Sequence, residues 1–335
     1  MIKVGVIGYG YWGPNLVRNF HEHPETAVAM VCDLDEGLLE KVRVRYPTIE
    51  TTKNLDELLA HPDVDAVAVA TPISTHYDLA MKVIEAGKHV LVEKPLAHDV
   101  ACCDQLISAA AAKDVVLMVD HTFPFTPAVQ RIKQLIDDGE IGDVLYYDSV
   151  RVNLGLFQHD VNVIWDLAVH DLSILEYLLD DKPTMVSATG ISHVEGHPEN
   201  QAYLTLQYDA RLIAHIHVNW LAPLKVRQTL IGGTEKMIVY DDTELTEKLK
   251  VYDKGITTDQ SPESVYQMRV GYRAGDMWAP HLDHGEALRN LVTEFVQCIH
   301  TGKTPLTHAE SGRRIVRVME AASESVKENG RPVVL

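Results

Sequence analysis

At 335 residues, 46% apolar and 23% charged, the chain has the size and composition of a globular protein with room for two domains, each with its own core. A formal net charge of −18 argues against a nucleic-acid surface, which needs clustered Lys and Arg, and gives no attraction to an anionic membrane. No run approaches the roughly 18 uninterrupted apolar residues of a membrane span.

Met1 leads straight into Ile2-Lys3-Val4-Gly5-Val6-Ile7, which reads as a first strand rather than a secretory leader. The cysteines are Cys32, Cys102, Cys103 and Cys298, whose spacing fits neither a disulfide framework nor a zinc site. Reduced thiols and a cytoplasmic location are the expectation.

The first 120 or so residues alternate short apolar runs with segments of helical period. Strands are predicted at Lys3 to Ile7, Ala27 to Cys32, Ala66 to Ala70, His89 to Val92 and Val115 to Val119. Helical patterns fall at Asn15 to Phe20, Asn54 to Ala60, Tyr77 to Ala86 and Val100 to Ala112. The strands are almost continuously apolar, as a parallel sheet covered on both faces requires. This pattern predicts an α/β Rossmann domain with a doubly wound parallel sheet over residues 1–121.

Beyond residue 121 the texture changes. Pro127 to Asp138 has helical spacing, and β-rich segments follow at Val144 to Leu154, Thr184 to Thr189, Ala202 to Tyr208, Leu212 to Trp220, Val226 to Ile231 and Lys236 to Tyr240. Several alternate apolar with polar residues, the mark of an antiparallel sheet with one covered face. A helix is predicted at Trp165 to Leu179, and two more near Glu286 to Thr301 and Ala309 to Glu328. Residues 122–335 are therefore predicted to form an α+β domain for substrate binding and oligomerisation.

The first strand runs into Gly8-Tyr9-Gly10-Tyr11-Trp12-Gly13, a G-x-G-x-x-G turn that opens a helix. Gly8 permits the tight turn, Gly10 lets backbone approach a pyrophosphate, and Gly13 lets helix and strand pack closely. Amides at the helix start would then bind the anion. Asp33 stands 20 positions beyond Gly13 and closes the second strand, where a carboxylate accepts ribose hydroxyls and repels a 2′-phosphate. NAD is the predicted cofactor. Tyr11 and Trp12, inside the turn, are counted among its contacts.

Two further stretches carry a resemblance: Thr71-Pro72-Ile73-Ser74-Thr75-His76, and Gly87-Lys88-His89-Val90-Leu91-Val92-Glu93-Lys94-Pro95. Together with Trp165-Asp166-Leu167-Ala168-Val169-His170-Asp171, they make the chain resemble the glucose–fructose oxidoreductase/inositol dehydrogenase (Gfo/Idh/MocA) family over essentially its whole length. The resemblance implies an open, mostly antiparallel second sheet and NAD(P)-dependent hydride transfer on sugars, polyols or nucleotide sugars. It implies that Lys94, with Glu93 beside it, lies by the nicotinamide, that Thr71, Pro72 and His76 pass that ring, and that the Lys94–Pro95 bond is cis. It also implies that Asp166 and His170 are the family's acid and histidine, and that the chain forms a homodimer or homotetramer. One stretch departs from many relatives: His121-Thr122-Phe123-Pro124-Phe125-Thr126 stands where they carry Arg or Tyr.

Oxidising a secondary alcohol needs the carbinol hydrogen aimed at the nicotinamide, a route for the hydroxyl proton, and stabilisation of charge on oxygen. An imidazole titrates near neutrality and suits the proton transfer, so His170 is the expected acid/base, with Asp166 orienting it and Lys94 polarising the oxygen. Lys94 as the immediate base is the competing assignment. Arg151, Asn153, Asn162 and Trp165 are candidate substrate contacts on the strand and loop before that helix. The pairs His215/His217 and His281/His284 suggest a metal, but with seventeen histidines chance pairs are common and no metal is expected. The predicted activity is NAD-dependent oxidation of a secondary hydroxyl on a sugar or nucleotide sugar, with a UDP-N-acetyl aminosugar 3-hydroxyl as the favoured target. Inositol or another polyol is the alternative substrate. A non-catalytic NAD-binding regulator and redox-neutral chemistry on a retained NAD are the competing classes.

Overall fold

A computed structural model describes residues 1–155, 161–208, 212–258 and 270–335. These divide into two compact units, each discontinuous in sequence. The first comprises Met1–Thr126 and Gly285–Arg317, the second Pro127–His284 and Val318–Leu335.

In the first unit, strands β1 (Ile2–Ile7), β2 (Thr26–Cys32), β3 (Glu50–Thr52), β4 (Ala66–Val69), β5 (His89–Glu93) and β6 (Leu117–Asp120) form one sheet in the order β3-β2-β1-β4-β5-β6. Every neighbouring pair is parallel. The physical cause is the apolar continuity noted above: every residue of β4 is buried, so helices must cover both faces. Helices α1 (Gly13–Glu22), α2 (Glu36–Arg45), α3 (Leu55–Ala60), α4 (His76–Glu85) and α5 (Val100–Lys113) do so. Neither α2 nor β3 is legible in the sequence. Only Leu39 and Val42 of α2 are buried, and β3 is three residues long, so neither leaves a periodic signal.

The helix Ala287–Thr301 completes this unit from far along the chain. Its Leu291, Val292, Phe295 and Val296 join the core of Val4, Leu16, Phe20 and Val31, and Phe295 meets Phe20 edge-to-face at 6.3 Å. Arg18 and Asn19 of α1 bind the Glu286 carboxylate that precedes it.

The second unit is built on helix α6 (Pro127–Asp137), helix α7 (Val169–Leu178) and a mixed sheet. Among the described residues that sheet has nine strands: β7 (Val144–Leu154), β8 (Met185–Ile191), β9 (Gln201–Gln207), β10 (Ile213–Asn219), β11 (Leu221–Gly233), β12 (Met237–Asp241), β13 (Leu249–Thr258), β14 (Val270–Trp278) and β15 (Val333–Val334). Their order is β14-β13-β12-β11-β7-β10-β9-β8-β15, antiparallel throughout except for the β10–β7 pair. The expected architecture, a doubly wound parallel sheet followed by an open and mostly antiparallel one, is therefore present.

Alternation decides the faces of the second sheet. Tyr147, Ser149 and Arg151 of β7 and Ile216 and Val218 of β10 are buried, whereas Val150, Tyr203, Ile213 and His215 are exposed on the other side. The same side carries Ile191 and Met277, so this outer face is a broad, partly apolar surface. Among the described residues no helix is long and apolar enough to cross a membrane.

Candidate active site

The glycine-rich turn leaves β1 at the point where strand order reverses, between β1 and β4, the place where open α/β sheets take ligands. Gly8 has φ +93°, and a Cβ there would stand 2.4 Å from the Ala70 carbonyl oxygen. A Cβ on Gly13 would stand 2.2 Å from the Gly8 carbonyl oxygen. These two glycines are required by the protein's own backbone. Gly10 differs: a Cβ on it would meet nothing within 4 Å. Helix α1 starts at Gly13-Pro14 with no side-chain cap, whereas α2, α3 and α5 are capped by Asp35, Asn54 and Asp99. Tyr11, within the turn, is 87% exposed.

Asp33 follows β2 and is partly exposed. Its Oδ2 accepts the Tyr9 amide at 2.7 Å and its Oδ1 accepts the Asp35 amide at 2.8 Å. The carboxylate is thus fixed against the turn, with further lone pairs on both oxygens for a ribose. His76 is buried, its Nδ1 2.8 Å from the Pro95 carbonyl oxygen and its Nε2 2.8 Å from that of Thr71. The ring donates to one of these carbonyls and packs between the Thr71-Pro72 stretch and the Glu93-Lys94-Pro95 loop. The Lys94–Pro95 peptide is cis.

Beside Lys94 lies a buried polar group that the sequence reading did not single out. Asp120, ending β6, is 1% exposed and accepts from the Trp12 indole Nε1 at 2.8 Å and from Thr122 Oγ1 at 3.1 Å. Glu93 stands opposite it in the β5–β6 register and accepts the Lys94 amide at 2.9 Å. Burial and the Asp120 charge hold the Glu93 carboxyl well above the ordinary carboxylate range. His121 is 1% exposed, and neither ring nitrogen has a hydrogen-bond partner among the described residues. Burial, together with the Lys94 charge, pushes its pKa down to about 3, so the imidazole is neutral.

In the second unit the D-x-x-x-H segment has an irregular backbone. Residues Ile164–Ala168 form a π-helical turn before α7 begins at Val169. Asp166 therefore lies on the π turn and His170 on the α-helix, and regular i, i+4 geometry does not describe the pair. Such turns occur disproportionately at functional sites.

The side chains of three residues hold this segment. Asn162 Oδ1 accepts the amides of Ile164 and Trp165, while its Nδ2 donates to Glu199. Trp165 Nε1 donates to Ser323 Oγ at 3.0 Å. Trp220, fully buried, donates its indole Nε1 to Asp166 Oδ2 at 2.9 Å.

Asp171, next to His170, is completely buried. It accepts from Ser149 Oγ at 2.5 Å and from Arg151 Nε at 2.7 Å and Nη2 at 3.2 Å. Ser149 and Arg151 are two apart on β7, so both point toward α7 and anchor it to the sheet. The Arg151 guanidinium is thus engaged with Asp171, and Asn162 caps the π turn. Asn153 is partly buried near the end of β7.

Residues 2–121 match the profile of an oxidoreductase family with an NAD-binding Rossmann fold, GFO/IDH/MocA, and residues 129–239 match that family's C-terminal domain. The chain belongs to the GFO/IDH/MocA family. It is 27% identical to the scyllo-inositol 2-dehydrogenase (NAD(+)) of Bacillus subtilis, over 100% of this chain and 95% of that one. It is 26% identical to the UDP-N-acetylglucosamine 3-dehydrogenase of Acidithiobacillus ferrooxidans, over 94% of each. The crystal structure of GenD2 from gentamicin A biosynthesis, in complex with NAD, superposes with a TM-score of 0.83 at 25% identity, covering 100% of this chain and 96% of that one.

This GFO/IDH/MocA protein is an NAD-binding oxidoreductase. The residues present fit the dinucleotide: a helix start with no side-chain cap, open space over Gly10, and a carboxylate fixed at the end of β2. Four polar groups escaped sequence reasoning, namely Asp120, His121, Asp171 and Trp220. Asp171 closes the quoted motif but carries no signal of its own. Trp220 meets Asp166 from 54 positions away. Among the described residues, neither His215/His217 nor His281/His284 belongs to a group of three or more converging candidate ligands. A different trio, His98, Asp99 and Cys102, brings its ligand atoms within 4.8 Å of one another. There Asp99 caps α5, accepting the Cys102 amide at 2.6 Å.

Proposed function

We propose that this protein acts on sugar-like alcohols, oxidising a secondary hydroxyl of a sugar or nucleotide sugar by hydride transfer to NAD. The 3-hydroxyl of a UDP-N-acetyl aminosugar is the favoured target. His170 serves as acid/base, Asp166 orients it or a substrate hydroxyl, and Lys94 polarises the reacting oxygen. Gly8, Gly10, Tyr11, Trp12, Gly13, Asp33, Thr71 and Pro72 form the dinucleotide site. The observation that carries this reading is the mounting of the D-x-x-x-H segment. A π turn, an indole held on Asp166 and a buried Arg151–Asp171 pair are a large local investment in the orientation of two side chains. A purely regulatory NAD-binding protein has no need of it.

The bound dinucleotide supplies the hydride acceptor. The chain's own work is to hold the alcohol, accept its proton and neutralise charge on the oxygen. Asn153 and Trp165 are retained as substrate contacts. Arg151 and Asn162 act on the substrate through the helix they anchor. A homodimer or homotetramer formed through the outer sheet face is part of this reading, given the row of Ile191, Tyr203, Ile213 and Met277 exposed there. The four cysteines are free thiols, in keeping with a cytoplasmic location.

The decisive test is a panel of nucleotide sugars, free sugars and inositols with NAD or NADP, following absorbance of the reduced cofactor. UDP-N-acetyl aminosugars with NAD should give the highest kcat/KM; preference for inositols would move the substrate to the polyol alternative. His170→Ala should lower kcat by about a hundredfold or more while NAD affinity stays within about threefold. Wild-type turnover in that variant would remove His170 from the mechanism. A cofactor that never exchanges, with no net reduction on any alcohol, would favour the redox-neutral class.

A further inference from the structure

We propose that Glu93 and Asp120 carry one proton between them, on Glu93, and that ionised Asp120 is a positioning residue coupling the glycine-rich turn to Lys94. The proton count does not depend on the proposed reaction. The kinetic consequence rests on the reading of Lys94 given above.

The argument begins with register. Strands β5 and β6 are parallel neighbours, and Glu93 and Asp120 are paired across them at their C-terminal ends. Paired residues on parallel neighbours project from the same face, so the two carboxyl groups lie side by side at the strand ends, where the Asp120 charge raises Glu93. Two ionised carboxylates so placed repel and have no hydrogen to share, and a hydrogen bond between them requires a proton on one.

The donor inventory decides which one. Asp120 receives a donor at each oxygen, Trp12 Nε1 at Oδ2 and Thr122 Oγ1 at Oδ1. A proton on Asp120 would compete with one of those donors. Glu93 accepts the Lys94 amide at Oε2, which leaves Oε1 to carry the hydrogen and donate it to Asp120. In that arrangement every donor meets an acceptor, and Asp120 is a buried anion with three donors, the condition under which a buried charge is tolerated.

The charges around the pair agree. Burial raises both carboxyls and the Lys94 cation lowers both; the Asp120 charge drives Glu93 well up, whereas Trp12 and Thr122 restrain Asp120, which stays above its ordinary value. His121, adjacent to Asp120, is neutral and adds no charge. One negative charge therefore faces the Lys94 cation, rather than two or none.

The mechanical consequence is a hub. Trp12 belongs to the glycine-rich turn, Thr122 follows β6, and Glu93 grips the backbone amide of Lys94, so a single carboxylate ties the cofactor turn to the strand end bearing the reactive amine. Substitutions then have unequal effects. Glu93→Gln keeps a donor toward Asp120 and an acceptor for the Lys94 amide. Asp120→Asn removes the charge and places an NH₂ where a donor already points.

Difference infrared spectroscopy in D₂O on the whole protein reads the proton directly. At mildly alkaline pH the wild type should show the carbonyl stretch of one protonated carboxylic acid, and Glu93→Gln should abolish it. Absence of that band in the wild type, or its survival in Glu93→Gln, overturns the assignment without any variant having to turn over substrate. In steady-state kinetics Asp120→Asn should lose roughly ten- to a hundredfold in kcat, the scale of a displaced catalytic group. Glu93→Gln should lose at least about tenfold less, and equal losses in the two variants would overturn the hub. Lys94→Ala separates the readings: full turnover with the infrared band intact would reject Lys94 in the reaction and leave the shared proton standing.

Discussion

Gly10→Ala is the perturbation that separates a turn shaped for a ligand from one shaped only by the fold. A Cβ on Gly8 would meet the Ala70 carbonyl oxygen at 2.4 Å in a left-handed backbone, and one on Gly13 would meet the Gly8 carbonyl oxygen at 2.2 Å. Backbone cannot retreat from such overlaps without moving β4 or α1. Strain and overpacking together should cost about 2–6 kcal/mol for Gly8→Ala. Gly10 has no atom within 4 Å of its would-be Cβ and no positive φ, so Gly10→Ala should leave the melting temperature of the apo protein almost unchanged. If a pyrophosphate lies over that open space, the new methyl holds it away from the turn amides. Loss of one charge-assisted hydrogen bond is worth about 1.5–3 kcal/mol, or roughly ten- to a hundredfold in Kd. Calorimetric titration with NAD, paired with thermal unfolding of the apo protein, measures both quantities. Wild-type NAD affinity in Gly10→Ala would refute the placement of the dinucleotide over this turn.

Three further outcomes follow from the same geometry. Asp33→Ala should weaken NAD by about tenfold and erase discrimination against NADP, read as the ratio of kcat/KM for the two cofactors; an unchanged ratio would take Asp33 out of cofactor selection. His121 is held neutral, its folded value near 3 lying below the ordinary 6.5. Its contribution to stability is therefore complete above about pH 6.5 and drains away as pH falls toward 3, reaching a loss of about 2 kcal/mol by pH 5. Urea titrations of the wild type and His121→Gln across that window should diverge, and parallel curves would contradict the buried neutral imidazole. Trp220→Phe removes the indole donor from Asp166 and should lower kcat about tenfold or more with NAD affinity intact, so a fall in NAD affinity alone would exclude the orienting role.

Much of this protein was legible because its signals are local. Apolar continuity forecast the buried parallel strands, the three glycines and Asp33 forecast a dinucleotide turn, and the Glu93-Lys94-Pro95 and Asp166-to-His170 spacings pointed to the reactive groups. The elements that went unread, α2 and β3, bury few residues and so leave no period to find. Tertiary structure alone revealed the return of Ala287–Thr301 into the first unit, the π turn beneath Asp166, and the partners that fix the site. Arg151 illustrates why. Its place on an alternating strand made it a candidate for meeting substrate, yet which face of that strand is covered depends on where α7 lies, and Asp171 on α7 claims the guanidinium. Glu93 and Asp120, 27 positions apart along the chain, likewise become a pair only when β5 and β6 are laid side by side. Chain-local chemistry fixed what the groups are; long-range packing chose their neighbours, and with them their charge.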